Sequence, residues 1–447
     1  MRTRILLAST LYGAATLVAA EESGLLGPAG RRLLLVSNNA AVPETTPALD
    51  AAPGFAVLRG AFDSVASWND AIRPLHPGGW SPRADEVPLW ERHLRRLWGL
   101  GEDEVELVVE SIQVDPALAL CRIFTDAPVT VYADGLMSYG PTRNRLDPLV
   151  GSRIDRLLHL DLVPGLRPLL LGEFGVPARV VPLDAFRSVL DRLARAAPAE
   201  VEAAPHGGAL LLGQYLGALG ILSHDEEEQL HLSMVRGAAA RGHRTVLFKP
   251  HPVAPLRYTD ALRDAADALG VDLTVLDAPV LAETLCARTR PALVAGCFST
   301  GLFTAAACYG IPVARTGTGM LLRRLAPYEN SNRVPVTLAD ALLPELGDPE
   351  ATPAADLAAT GGVTALVRAV GFAMRPRLHP ELRGEAELLL SARRSEPALL
   401  RYFDRRRLAV LGLPGALPPA LTRMVRDPRV RRLARRAPRS LRQAVTG

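Results

Sequence analysis

Several short stretches of this 447-residue chain have the residue types and setting for chemistry. The first is TVLFKPHP, residues 245–252. An apolar run, Val246-Leu247-Phe248, stops at Lys249-Pro250-His251-Pro252. The run reads as a buried parallel strand, and the first proline ends it. A cation and an imidazole then stand at a strand's carboxyl end, where open α/β sheets bind ligands. Lys249 is the only lysine in the chain. A strand-ending turn with a surface histidine accounts for the same residues. The second stretch is YADG, residues 132–135. A strand over 129–132 ends in Ala133-Asp134-Gly135, and the glycine lets the backbone turn so that Asp134 projects into a crevice. An ordinary Asp-Gly turn has the same sequence. The third is GCFSTG, residues 296–301, where a small-residue turn leads into a helix over about 302–309. Two hydroxyls, Ser299 and Thr300, beside the N–H groups of a helix start form a phosphate cradle. A serine N-cap without a ligand is the competing reading. Arg143 and Arg145 follow the second stretch and face either an anionic ligand or solvent.

Strands must carry these residues. In the first half, strands are expected over 5–8, 33–37, 55–58 with 64–68, 106–109, 129–132, 157–163 and 180–182. Helices are expected over 14–21, 90–100, 115–122 and 186–196. The helix at 90–100 has Trp90, Leu94, Leu97 and Trp98 on one face. Asp115 caps the next, with Pro116 at its first position. Residues 198–208 (PAEVEAAPHGG) lose periodicity and mark a domain boundary. The pattern then restarts, with strands over 209–213, 245–249, 273–276, 292–295 and 313–316. A long helix over 223–242 begins with Ser223, and Glu226 completes a capping box. Further helices cover 258–269 and 280–286, the latter with Glu283. Alternating strands and helices predict an α/β protein of two doubly wound Rossmann-like domains, 1–198 and 209–375, with ligand between them. Residues 376–447 form a helical, Arg-rich extension.

The chain is too long for one ordinary core, and 48% hydrophobic with 22% charged residues excludes gross disorder. The net charge of +4 is uneven, because arginines crowd residues 423–442. That segment reads as a solvated tail, or as a contact to an anionic membrane surface or polyanionic glycan. No nucleic-acid module is present. Cys121, Cys286, Cys297 and Cys308 lack metal spacing and read as reduced core thiols, which favours a reducing compartment. Met1-Arg2-Thr3-Arg4 and the apolar run to Ala20 resemble a signal peptide. A strand, turn and helix explain the run better, since the turn at 9–13 interrupts it. No run reaches the length of a membrane span, about 20 residues. The chain lacks G-x-G-x-x-G, H-E-x-x-H and G-x-S-x-G, so nicotinamide, zinc-protease and serine-hydrolase readings have no support.

Asp134-Gly135, His251-Pro252 and Ser299-Thr300 occur in that order, each at a strand end. With YADGLMSYGP, LGQYL, FKPHP and GCFSTGL, they resemble the polysialyltransferase-like family of bacterial GT-B glycosyltransferases, from TLYGAATL to about Leu346. That family carries a D/E-D/E-G motif, an HP motif and a paired Ser/Thr motif. Ala133 stands where its first acid would be, and the basic tail is outside the match. The resemblance implies a GT-B fold and an inverting sialyltransferase, with CMP-sialic acid as donor substrate, no cofactor and no metal. It implies Asp134 as base, and protonated His251, Ser299, Thr300 and Lys249 at the donor phosphate. Glu283 and Gly213 would bind the nucleoside, and Arg143 and Arg145 the acceptor, a polysialic or capsular glycan. The location implied is cytoplasmic, with peripheral contact at the inner membrane face. The alternatives are a GT-B transferase for another nucleotide sugar, a sugar-nucleotide epimerase of related fold, and a silent glycan-binding homologue.

Overall fold

A computed structural model of the chain describes residues 1–133, 135–251, 257–348, 360–393 and 396–416. Asp134, Pro252 and the Arg-rich segment 423–442 lie outside the described residues.

The first half builds a parallel seven-stranded sheet from β1 (Arg2–Ala8), β2 (Arg31–Val36), β3 (Ser64–Ser67), β4 (Glu104–Val109), β5 (Val129–Ala133), β6 (Ile154–Leu160) and β7 (Ala178–Val181). Its order is β3-β2-β1-β4-β5-β6-β7. The second half builds a parallel five-stranded sheet from β8 (Ala209–Leu212), β9 (Thr245–Lys249), β10 (Asp272–Val275), β11 (Leu293–Gly296) and β12 (Val313–Arg315), in the order β10-β9-β8-β11-β12. Each sheet winds outward in one direction and then returns to the other side of its first strand. The switch points are therefore β1/β4 and β8/β11, and crevices for ligands open beyond the carboxyl ends there. Two doubly wound sheets that contribute to one cleft make the GT-B arrangement.

Strand periodicity explains the packing. Ile5 and Leu7 point into one buried cluster, whereas Leu6 and Ala8 point into the other. The second cluster continues through the helix Leu183–Arg195 into the second sheet, so the halves share apolar core. The amino-terminal run is built into this core. Arg4 is buried and pairs with Glu21 at 2.8 Å and with Glu106. A buried, paired arginine is the reason this basic start serves a central strand.

Three local expectations need correction. Residues 55–58 belong to a helix, Phe55–Arg59, that buries Phe55 and Leu58 three positions apart. Leu97 is exposed, and only Leu94 and Trp98 of that stripe are fully buried. The helix expected from Asp115 begins at Ala117, and no side chain caps it. The capping box of Ser223 and Glu226 is present on the helix His224–Ala240. All four cysteines are buried and unlinked, and burial pushes Cys121 and Cys308 up to about 12. Among the described residues, no helix is long and apolar enough to cross a membrane.

After the second sheet the chain crosses back. On the helix Thr360–Met374, a β-carbon at Gly371 would lie 2.4 Å from Leu169 of the first half. Arg375 then donates to the carbonyl of Arg143. The return is thus made before residue 376, and the helix Arg383–Ala392 packs on the one that made it.

Candidate active site in the cleft

The loop after β5 meets the helix that follows β11. A β-carbon at Gly135 would stand 3.0 Å from Thr300 Oγ1, so only glycine allows this approach without displacing the threonine. Ser299 caps the helix Thr300–Tyr309, its hydroxyl accepting from the Gly301 N–H at 3.2 Å. Around this junction lies a cavity of about 340 Å³. The first half contributes Glu110, Tyr132, Ala133, Gly135 and Arg143 to its lining, and the second contributes Ser299 and Thr300. The halves are also tied behind it, where Tyr12 Oη and Thr304 Oγ1 share a 3.0 Å hydrogen bond.

Asp134 lies outside the described residues, but its neighbours Ala133 and Gly135 both line this cavity. Arg143 lines it too and reaches Ser331 Oγ at 3.4 Å, whereas Arg145 is exposed and is not in the lining. The cavity therefore unites Gly135, Ser299, Thr300 and Arg143.

The remaining expected residues cluster beside it. His251 follows β9, and β8 separates that strand from β11. Two strand spacings put the strand ends about 10 Å apart. The His251 ring stacks on Tyr215, with centroids 4.9 Å apart and planes 6° from parallel. Desolvation, and then the charge of Lys249, lower His251 below the ordinary imidazole value. The protonated form expected for His251 is thus not the one the protein itself favours at neutral pH. Lys249 is half-buried and donates to the Ala278 carbonyl at 3.2 Å. Burial lowers it, and Asp277 and Glu283 pull it back up.

Gly213 has a packing reason of its own. A β-carbon there would lie 3.0 Å from Phe248, 3.1 Å from the Lys249 carbonyl and 3.1 Å from Pro250 Cα. Its N–H donates to Lys249 O at 2.9 Å, holding the ends of β8 and β9 together. Glu283 is buried, lies near Thr304 of the Ser299-capped helix, and is not in the cavity lining. Burial raises its carboxyl. Among the described residues, no group of three or more His, Cys, Asp or Glu side chains could hold a metal ion.

Two contributors were missed in the sequence. Tyr215 lies in LGQYL, but its stacking on His251 depends on two loops meeting. Glu110 follows the Val108-Val109 end of β4, the same signal that drew attention to Asp134.

Fold and cleft define a two-sheet α/β protein whose candidate site lies between its halves. The family model for alpha-2,8-polysialyltransferase matches residues 4–318, which include both sheets. The chain belongs to this family and is a glycosyltransferase of the sialyltransferase type. A search of curated proteins finds no match. Among solved structures, the chain is similar to the GT-B domain of a sialyltransferase from Photobacterium damselae. The identity is 12% and the TM-score 0.40, covering 76% of this chain and 96% of that one. It is similar to apo UGT2 of Phytolacca americana at 13% identity and TM-score 0.38, covering 89% and 96%. MurG of Acinetobacter baumannii gives 11% and 0.39, covering 86% and 94%.

Proposed function

We propose that the protein transfers sialic acid, or a related nonulosonic acid, from a CMP-activated donor to a hydroxyl of a glycan acceptor, with inversion at the anomeric carbon. The observation that carries this reading is the apposition of Gly135 and Thr300. It brings the loop at Ala133 and Gly135 and the hydroxyls of Ser299 and Thr300 to one cavity, in a chain of the polysialyltransferase family. Asp134 accepts the acceptor hydroxyl's proton as that oxygen attacks the anomeric carbon, and the bond to phosphate breaks to release CMP. A positioned base of this kind contributes roughly 10²–10⁴ in rate. The hydroxyls of Ser299 and Thr300, with the helix start, hold the phosphate as its charge grows. The phosphate's charge raises the neighbouring His251, which takes up a proton and donates it to a phosphate oxygen. Lys249, bonded to Ala278, supplies positive potential from behind the site. Arg143 lines the cavity on the acceptor side. The acceptor is a polysialic or capsular chain, and the Arg-rich segment 423–442 provides peripheral contact with an anionic membrane surface.

CMP release from CMP-sialic acid with oligosialic acceptors tests the reading. Turnover by the wild type, with Asp134→Ala and His251→Ala each slower by about a hundredfold or more, is expected. A wild type that binds CMP yet releases none from any CMP-sugar refutes it.

A further inference from the structure

We propose that Glu110 is the second carboxylate of this active site, occupying in space the role that Ala133 has no side chain to fill. The inference rests on the transfer reaction proposed above. Glu110 directly follows β4, whose partner across the switch point is β1. Carboxyl ends at a switch point border the ligand crevice. The register pairs Val109 with Val131, so Glu110 is level with Tyr132 and adjacent to Ala133. Glu110 and Ala133 line the same cavity, together with Ser299 and Thr300.

The surroundings of Glu110 hold its carboxylate there. Glu110 is only 8% exposed, and its Oε2 lies 3.1 Å from the Tyr132 hydroxyl, whose single proton it shares with the Leu7 carbonyl at 2.9 Å. A β-carbon at Gly13 would lie 3.1 Å from that oxygen and 2.9 Å from the Tyr132 hydroxyl. Gly13 is in the first turn of the helix Leu11–Glu22, so its bareness lets a helix start approach the carboxylate. The positive end of a helix dipole favours an anion in that position. Ser111, the next residue, takes a left-handed φ of 44°, a conformation that costs a side-chain-bearing residue about 1 kcal/mol or more. The chain accepts that cost where it turns Glu110 toward the cavity.

In the reaction, the acceptor's O–H bond breaks and its oxygen bonds to the anomeric carbon. The anomeric bond to phosphate oxygen breaks, its electron pair leaves with CMP, and the proton passes to Asp134, while Glu110 lends its charge to the same cavity. A like charge nearby makes the accepting carboxylate more basic than a lone one.

The test compares pH–rate profiles of CMP release for the wild type, Glu110→Gln and the double variant Glu110→Gln with Ala133→Glu, alongside melting curves. Glutamine preserves the hydrogen bond from Tyr132 and removes the charge. Glu110→Gln should lower kcat/KM at least about tenfold and move the acid limb to lower pH, with melting little changed. Adding Ala133→Glu should recover much of the lost rate. Wild-type rate and profile in Glu110→Gln overturn the proposal. A slower variant with an unmoved acid limb and no rescue also overturns it, because a structural role would act in that way. These failures leave wild-type turnover intact. A wild type that releases no CMP from any CMP-sugar instead overturns the transfer reading, and the role of Glu110 falls with it.

Discussion

Acid should loosen this protein through His231. The residue is buried in the helix His224–Ala240, where its Nε2 accepts from the Gln214 N–H at 2.9 Å. That bond fixes the turn after β8, next to the Tyr215 on which His251 stacks. Accepting at Nε2 requires a neutral ring, and burial lowers His231 from 6.5 to about 4. An unfolded chain takes up this proton near pH 6.5, whereas the folded chain resists until about pH 4. The stabilisation is therefore complete above the unfolded value and is lost as pH falls through this window. A span of about 2.5 units at about 1.4 kcal/mol per unit gives about 3.5 kcal/mol. Urea unfolding of the wild type and His231→Gln at several pH values between 7.5 and 4.5 (roughly the window set by the shift) measures it. The glutamine carbonyl can accept the same N–H without titrating, so subtraction cancels the other groups. The wild type's stability relative to the variant should fall steeply below about pH 6.5. A difference that stays flat to pH 4.5 (about two units below the ordinary imidazole value) refutes the reasoning.

The Gly135–Thr300 apposition makes a coupled prediction. Gly135→Ala should cut CMP release, because its β-carbon would meet Thr300 Oγ1 at 3.0 Å. Thr300→Ala in that background should restore stability but not rate, with a coupling of about 0.5–3 kcal/mol between the two sites in unfolding. Additive effects would show that the loops do not touch. Asp340 is fully buried and accepts from Thr318 at 2.6 Å, Arg401 at 2.9 Å and Tyr402 at 2.9 Å, with Arg315 at 3.4 Å. Asp340→Ala should cost about 3–5 kcal/mol in denaturant unfolding, since the buried Arg315 loses one of its two carboxylates and the buried hydroxyls of Thr318 and Tyr402 lose their acceptor. A loss below about 1 kcal/mol, the size of a surface pair, would contradict that account.

Strand ends were the legible part of this sequence. Val246–Phe248 before Pro250, and Leu293–Gly296 before Ser299, announce themselves because buried parallel strands are continuous apolar runs with abrupt polar stops. Short runs were ambiguous: residues 55–58 are apolar enough for a strand, and only the spacing of Phe55 and Leu58 betrays a helix. The placement of site candidates was legible where a residue follows its own strand, as at Ser299, Thr300 and His251. It was illegible where two distant segments meet. Gly213 was expected at the nucleoside, and its close approach to the backbone of Lys249 and Pro250 is a packing role that no local pattern announces. Glu283 lies near the motifs in sequence yet faces Thr304 behind the cavity, because its short helix turns it inward.

The hydrogen bond from Arg375 to the Arg143 carbonyl spans 232 positions. On a ribosome adding about 5–20 residues per second, the second partner emerges roughly 10–50 s after the first. Through that interval the nascent first half has its central strands, but not the crossing segment that ties down its loop beside the cavity. Assembly of the cleft is therefore a late event in biosynthesis. A chain stopped within the second sheet would hold most of the site's residues and lack the strap that fixes one wall.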